Sequence, residues 1–181
     1  MSEALHSPLR NNVIRNGALE PDTWQAHLAA DDTAAALPPD SPGWLVTLQT
    51  WQTHRQQLRM RQHAVAVYLP SDADPEELLE PGAQAIDPVG IAHIAIDFPV
   101  YTDGRGYSLA QLLRTQYGWH GELRAVGDVM IDTVHYLARC GFDSFAVKPG
   151  HDPEAALAAL RSFTVHYQRA YRKPLAPLTG A

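Results

Sequence analysis

The 181-residue chain is 45% hydrophobic and 19% charged, as in a globular protein long enough to bury one full hydrophobic core. Its formal net charge of -6 argues against a nucleic-acid binder, which would present a basic face, and gives no attraction to anionic lipid. The single cysteine, Cys140, excludes an internal disulfide, a CxxC redox pair and a cysteine-only iron–sulfur site. Because no apolar stretch has the length of a signal peptide or a membrane span, we expect a soluble cytoplasmic protein.

The N-terminal quarter of the chain is predicted to be an appendage to the main domain. Residues 1–11 are expected to form a mobile tail. In NNVIRNGALEPDTWQAHL, short apolar runs flank Asn16-Gly17, a dipeptide that strongly favours a β-hairpin. Residues 29–43 are rich in Ala, Asp and Pro, which indicates an irregular connection. We therefore assign residues 12–43 to a hairpin followed by a linker.

Beyond the linker, strand-like and helix-like segments alternate as far as residue 173, and a tail follows at 174–181. The strand segments are apolar on both faces, which is typical of a parallel sheet covered by helices. Every gap between them has room for a crossover helix. The predicted strands are 44–48, 64–69, 91–98, 122–127 and 144–148, and the predicted helices are 51–62, 75–80, 108–117, 129–140 and 153–172.

Helix-capping signals support these boundaries. Asp74 and Asp152 each precede a proline and a glutamate, the order expected of an N-cap, a first helical position and an acidic first turn. Ser108 and Gln111 match a capping box, which predicts that Ser108 caps its helix. Gly141 follows Cys140 where a left-handed C-cap is expected, and Cys140 is interpreted as a small buried hydrophobic residue.

The sequence therefore predicts one α/β domain. It would hold a mainly parallel sheet of about five strands with flanking helices, plus the N-terminal β-hairpin. A partial (β/α) barrel is the alternative, because sequential βα units also build that fold and strand order is invisible in the sequence.

A site is expected at the carboxyl edge of the sheet, where the loops that leave parallel strands emerge together. Glycines let a backbone approach a ligand, a helix N-terminus offers free N–H groups to an anion, and an arginine can bind an oxyanion with two hydrogen bonds. The predicted ligand-binding residues are Thr102, Gly104, Arg105, Gly106, Tyr107, Ser108, Arg124 and Lys148.

The same loop has a purely structural interpretation. Asp103-Gly104 is a common turn pair, and Arg105 would then pair with Asp97 or Asp103. A buried Arg124 would need a carboxylate partner, for which Asp128 or Asp97 would serve.

Catalytic and cofactor signals are sparse. Asp97, Asp103 and Asp128 are the candidate acid–base residues, since Asp97 lies near the end of a predicted strand and the other two lie in loops that follow strands at the predicted edge. The nine histidines lack ligand spacing, so no metal site is expected. Because the dinucleotide, P-loop, HExxH and GxSxG signatures are missing, the cofactor is left unknown.

Two runs, FPVYTDGRGYSLAQLLR (98–114) and GELRAVGDV (121–129), closely resemble a bacterial family of unknown function. Its members are described as oxidoreductases involved in sulfite reduction, and the likeness covers about residues 64–171, with a weaker echo in VIRNGALEPDTW. The resemblance implies a place in assimilatory sulfate and sulfite reduction and brings no established catalytic residues. Reducing sulfite to sulfide normally requires sirohaem and an iron–sulfur cluster, which one cysteine cannot hold. The resemblance thus implies a partner of sulfite reductase or a binder of a small anion.

Three functional hypotheses follow. The leading one is an accessory protein of sulfite assimilation that binds a small oxyanion or an anionic cofactor at the 102–108 loop. The first alternative is a small enzyme of sulfur metabolism that uses one of the three aspartates as acid or base. The second alternative is a non-catalytic docking module for sulfite reductase. Whether the protein is an enzyme stays open at this point.

Overall fold

The computed structural model describes residues 12–27 and 37–161. The predicted tails at 1–11 and 174–181 and the second half of the predicted last helix lie outside these ranges. Within them, no helix combines the length and apolar character needed to cross a membrane.

The described residues form one eight-stranded sheet with four α-helices and a short 3-10 helix, Pro75–Leu78. The strands are β1 (Val13–Arg15), β2 (Ala18–Glu20), β3 (Gln25–His27), β4 (Trp44–Thr47), β5 (Val65–Leu69), β6 (Ile91–Phe98), β7 (Glu122–Gly127) and β8 (Ser144–Ala146). The helices are α1 (Leu48–Arg59), α2 (Arg105–Thr115), α3 (Val134–Arg139) and α4 (Pro153–Arg161).

The order of the strands makes the sheet a half-barrel. It runs β2-β1-β8-β7-β6-β5-β4-β3, and from β3 to β8 each strand pairs in parallel with the next one along the chain. Right-handed crossovers that all advance in one direction place their helices on one face of the sheet. The sheet curls, so these helices cover its convex face and the concave face is left for other contacts. The predicted α/β class is confirmed and the partial-barrel alternative fits, whereas the expected five strands are too few.

Strand β6 shows how the two faces divide. Ile94 and Ile96 belong to the hydrophobic core, whereas His93, Ala95 and Asp97 line a cavity on the other face. This alternation follows from the two-residue period of a strand. A strand with polar residues at 93 and 97 therefore carries them on one face, opposite the helices.

The N-terminal segment is part of the sheet itself. The Asn16-Gly17 hairpin is confirmed, with both residues at positive φ (52° and 73°), as a two-residue type I′ turn requires. Its first strand, β1, pairs antiparallel with β8. Strand β3 lies within residues 12–43, for which the sequence predicts only a hairpin and a linker, and it pairs in parallel with β4. With three residues, two of them polar, β3 is too short to be recognised from hydrophobic periodicity.

The caps at Asp74 and Asp152 are confirmed, since each carboxylate accepts a hydrogen bond at 2.9 Å from the backbone N–H two residues later. Gly141 adopts the expected positive φ of 109°, and Cys140 is buried. The capping box at Ser108 is wrong: α2 already begins at Arg105, and the Ser108 hydroxyl donates to the Gly104 carbonyl. The helix starts early because Asp103 accepts the Arg105 N–H.

Candidate functional site

A cavity of about 720 Å³ lies on the concave face, at the carboxyl ends of β5 to β8. This is the edge at which ligands bind in folds built from sequential βα units. Its apolar lining includes Trp24, Leu45, Ala95, Val126 and Val147. Its polar lining includes Asn12, Asp22, Tyr68, His93, Asp97, Arg124, Asp128 and Lys148. A concave, mostly apolar space with a few polar groups is the usual form of a small-molecule site.

The first polar group of the cavity is the pair formed by Tyr68 and Asp97, on the neighbouring strands β5 and β6. The Tyr68 hydroxyl is a hydrogen-bonding partner of the Asp97 carboxylate. Burial raises the pKa of the Asp97 carboxyl above its ordinary value of 3.8, although the hydrogen bond from Tyr68 acts in the opposite direction. Burial and the adjacent carboxylate raise the pKa of Tyr68, so this hydroxyl keeps its proton and donates to Asp97.

The second group is the ion pair between Lys148 and Asp128, which follow β8 and β7. The Lys148 Nζ lies 2.6 Å from Asp128 Oδ1. The other carboxylate oxygen accepts the backbone N–H of Tyr101 at 3.0 Å. The hydrogen bond from Lys148 has the larger effect and that from Tyr101 the smaller, and together they hold the pKa of Asp128 below its ordinary value. Asp128 therefore stays ionised and fastens Lys148 to the loop that follows β6.

Arg124, which sits on β7, is 5% exposed. Its guanidinium donates to Glu122 at 2.8 Å and to Ser144 at 3.1 Å, and it lies 3.5 Å from Asp22. Glu122 also accepts the Ser144 hydroxyl at 2.6 Å. Burial alone would raise the pKa of Glu122, but the Ser144 hydroxyl and the Arg124 charge hold it below the ordinary value. Neither Asp97 nor Asp128, the partners expected for Arg124, forms an ion pair with it in the described part of the chain.

His93 is 2% exposed and meets Trp24 edge-on, with ring centroids 4.5 Å apart. Burial and the nearby Arg124 charge lower the pKa of His93 to about 3. The imidazole is therefore neutral at physiological pH. It presents an uncharged polar surface to the cavity.

The predicted anion loop, residues 102–108, does not line this cavity. Arg105 is bound by Asp103 through Nε at 3.0 Å and Nη2 at 2.7 Å, and Asp103 also accepts the Ser71 hydroxyl at 2.8 Å. The hydrogen bonds from the Arg105 side chain, and to a smaller extent that from Ser71, hold the pKa of Asp103 well below its usual range. The structural interpretation of Arg105, a pair with Asp103, is confirmed.

The other members of the loop have structural contacts or are exposed. A Cβ added at Gly106 would stand 2.7 Å from the Phe98 ring, so this glycine lets α2 pack closely on β6. Tyr107 packs on Phe98 and Tyr136, with ring centroids about 5 Å apart in each pair. Thr102, Gly104 and Ser108 are exposed.

The structure thus divides the predicted site residues into two groups. Asp97, Arg124, Asp128 and Lys148 share the cavity, whereas Asp103 and the predicted ligands at 102–108 lie elsewhere. Sequence reasoning missed three residues that the cavity uses, Tyr68, His93 and Trp24. A signal existed for His93, because its spacing from Asp97 in an apolar strand puts both side chains on one face. No group of three or more metal-ligating side chains occurs among the described residues.

The fold and the cavity define an α/β half-barrel protein with a ligand-sized space at the carboxyl edge of its strands. By sequence, the chain belongs to the family described as bacterial protein of unknown function (DUF934), whose model matches residues 66–178. No curated protein and no solved structure matches the chain at a significant level. The matched range begins inside β5, so it includes Asp97, Asp128 and Lys148 but not Trp24.

Proposed function

We propose that this protein is a small enzyme of sulfur metabolism that binds its substrate in the concave cavity and uses Asp97 as its acid–base residue. One observation carries the proposal: a 720 Å³ cavity at the carboxyl edge brings together Asp97 of β6, Tyr68 of the adjacent β5, and Lys148, which follows β8. The sulfur pathway rests on the family resemblance. The acid–base role rests on the geometry of the cavity.

The two carboxylates of the cavity are suited to different tasks. Burial makes the Asp97 carboxylate a stronger base than an ordinary aspartate, which favours proton abstraction by it. Asp128 is stabilised in its ionised form by Lys148 and is correspondingly a weaker base. Environments that shift the pKa values of two carboxyl groups in opposite directions are characteristic of acid–base sites.

The proposed step is a proton transfer from the substrate to Asp97. The proton moves to a carboxylate oxygen of Asp97, and the electron pair of the broken bond stays on the substrate. The Lys148 ammonium, in the same cavity, is paired with Asp128 and so fixes the loop that follows β6 beside the site of the reaction. The Tyr68 hydroxyl fixes the orientation of Asp97 through their hydrogen bond.

The accessory, anion-binding role remains a second candidate. Arg124 and Lys148, both predicted as anion ligands, do line the cavity. Each is already paired with a carboxylate, and an anion at the 102–108 loop would have to displace Asp103 from Arg105. These pairings favour the enzyme over the anion binder.

Growth of a bacterial host on sulfate as the sole sulfur source tests the choice. The host carries a deletion of its own copy, and variants are supplied on a plasmid. We expect Asp97→Asn and Lys148→Met to abolish growth while the purified variants unfold at temperatures close to that of the wild type. Asp103→Asn, which changes the same residue type outside the cavity, is expected to grow normally.

Normal growth of both cavity variants would overturn the enzyme proposal. Loss of growth in Asp103→Asn and Arg105→Ala, with the cavity variants unaffected, would favour the anion-binding loop. Co-purification with sulfite reductase that survives every one of these substitutions would favour the docking module.

A further inference from the structure

We infer that the cavity selects a ligand with a positively charged, N–H-rich group of the amine or amidine type, held by Asp97. The inference rests on the proposed use of the cavity as the functional site. It concerns the chemical class of the substrate, which the resemblance alone would make an oxyanion.

The charges that line the cavity do not cancel. Among the described lining residues, three carboxylates (Asp22, Asp97 and Asp128) face two cations (Arg124 and Lys148). Both cations are engaged, since Lys148 lies 2.6 Å from Asp128 and Arg124 lies 2.8 Å from Glu122 outside the lining. The partner of Asp97 is the neutral Tyr68 hydroxyl. The charge without a counter-charge in this part of the chain is therefore the Asp97 carboxylate.

Asn12 adds a second acceptor to the same cavity. Its side-chain Nδ2 donates to the Val147 carbonyl at 3.1 Å, which fixes the orientation of the amide. Its Oδ1 is buried and accepts no hydrogen bond within the described residues. A buried oxygen without a donor is costly, so a ligand N–H group that reaches it would gain affinity.

An anion would meet the opposite situation. It would have to displace Asp128 from Lys148, or compete with Glu122, Ser144 and Asp22 for a guanidinium that is 5% exposed. The Asp97 carboxylate, which has no counter-charge, would repel it as it entered. The apolar walls at Trp24, Leu45 and Val126 suit a flat carbon framework that carries the cationic group.

Three probes of nearly equal size and shape test the charge preference: benzamidine, benzamide and benzoate, with charges of +1, 0 and −1. Dissociation constants are measured on the full-length protein by NMR titration, with the indole signals of the four tryptophans as reporters. We expect benzamidine to bind at least about tenfold more tightly than benzoate, because a charge-assisted hydrogen bond to Asp97 is available only to the cation.

Two substitutions with opposite effects make the test specific. Asp97→Asn is expected to raise the dissociation constant of benzamidine by about tenfold or more and to leave that of benzamide nearly unchanged. Lys148→Met leaves Asp128 without its counter-charge. We therefore expect it to tighten the binding of benzamidine and to weaken the binding of benzoate. Asp103→Asn, outside the cavity, serves as the matched control and is expected to change none of the three constants.

The inference is overturned if benzoate binds most tightly, if benzamidine is insensitive to both cavity substitutions, or if none of the probes binds. Should Asp97→Asn fail to fold, the opposite shifts expected for Lys148→Met decide the matter alone. Tight benzoate binding that Lys148→Met removes would end the inference and leave the cavity as the functional site. Normal growth of the Asp97→Asn and Lys148→Met strains would instead end the proposed function.

Discussion

Gly127 lies so close to Asp97 that a Cβ atom at position 127 would stand 2.5 Å from Oδ1 of that carboxylate. The same atom would stand 2.5 Å from the backbone oxygen of Phe98, and the glycine has a φ of +87°. No other residue type adopts this conformation without strain or fits this space. The glycine at the end of β7 therefore helps to define where the carboxylate of β6 sits.

Replacing this glycine should damage both stability and the cavity. We expect Gly127→Ala to lower the free energy of unfolding by about 1–3 kcal/mol, because the added methyl clashes with Asp97 and the backbone angle is unfavourable. Urea denaturation measures the change. Gly104→Ala is the control, since Gly104 has a φ of -67° and no heavy atom within 4 Å of an added Cβ. Equal stabilities of the two variants would contradict the close approach.

Replacing only one member of the Arg124–Glu122 pair should destabilise the protein more than replacing both members. We expect Arg124→Met to lower the free energy of unfolding by about 1–3 kcal/mol, because a largely buried Glu122 then keeps only the partly exposed Arg15 as its counter-charge. The double variant with Glu122→Gln should recover part of this loss. Denaturant titration of the two single variants and the double variant checks the coupling. Additive losses would show that the pair does not act as a unit.

His93 should make the protein sensitive to acid. Its pKa is about 3 in the folded protein and 6.5 as an ordinary histidine, so between these values only the unfolded chain binds the proton. The free energy of unfolding then falls by about 1.4 kcal/mol for each unit by which the pH is lowered. His93→Gln removes this contribution, and its stability should fall less steeply between about pH 6.5 and pH 4. Parallel curves from denaturation at several pH values would refute the buried neutral imidazole.

Asp97 should show the opposite pH dependence. Its pKa is raised on folding, so just above 3.8 the folded protein keeps a proton that the unfolded chain has lost. Stability is therefore lost as the pH rises through this window, and the loss persists at neutral pH. Asp97→Asn cannot titrate, and its stability relative to the wild type should increase between about pH 3.5 and pH 7.

Asp103→Asn provides the control for that prediction. The pKa of Asp103 is lowered, chiefly by hydrogen bonds from Arg105, so its contribution to stability is fully present above the ordinary value of 3.8 and is lost as the pH falls below that value. This variant should therefore be less stable than the wild type above about pH 4, and the difference should shrink as the pH is lowered further. If both variants shift in the same direction, the two carboxyl groups do not occupy the different environments described here.

Much of the fold could be predicted because its longest strands are apolar runs between turn residues. Both β6 and β7 have the predicted bounds, 91–98 and 122–127. Asn16-Gly17 likewise determines its own backbone angles. By contrast, β3 has three residues and exists because β4 lies beside it, a tertiary cause that no local pattern reveals. The predicted helix 129–140 is shortened to Val134–Arg139, since residues 131–133 form a turn that the Thr133 N–H closes on the Met130 carbonyl.

The site was predictable where it depends on topology. Asp97 lies near the end of β6, and Asp128 and Lys148 follow β7 and β8; parallel pairing brings such positions to one edge whatever the residues are. The division between the cavity and the 102–108 loop was not predictable, because it depends on Arg105 turning back to Asp103. Trp24 had no signal, since it reaches His93 through the curl of the sheet.

The pairing of β1 with β8 also has a consequence for the order in which the protein can be assembled. Ile14 lies opposite Phe145, and both are buried in the finished sheet. A ribosome that synthesises the chain releases Ile14 early and Phe145 only after β3 to β7 have been made. Contacts between residues so distant in sequence form late, since the loop between them must first be closed. The nascent hairpin therefore waits with its apolar side uncovered until β8 has been made, and during translation it is exposed to aggregation for most of the time that the rest of the sheet takes to appear.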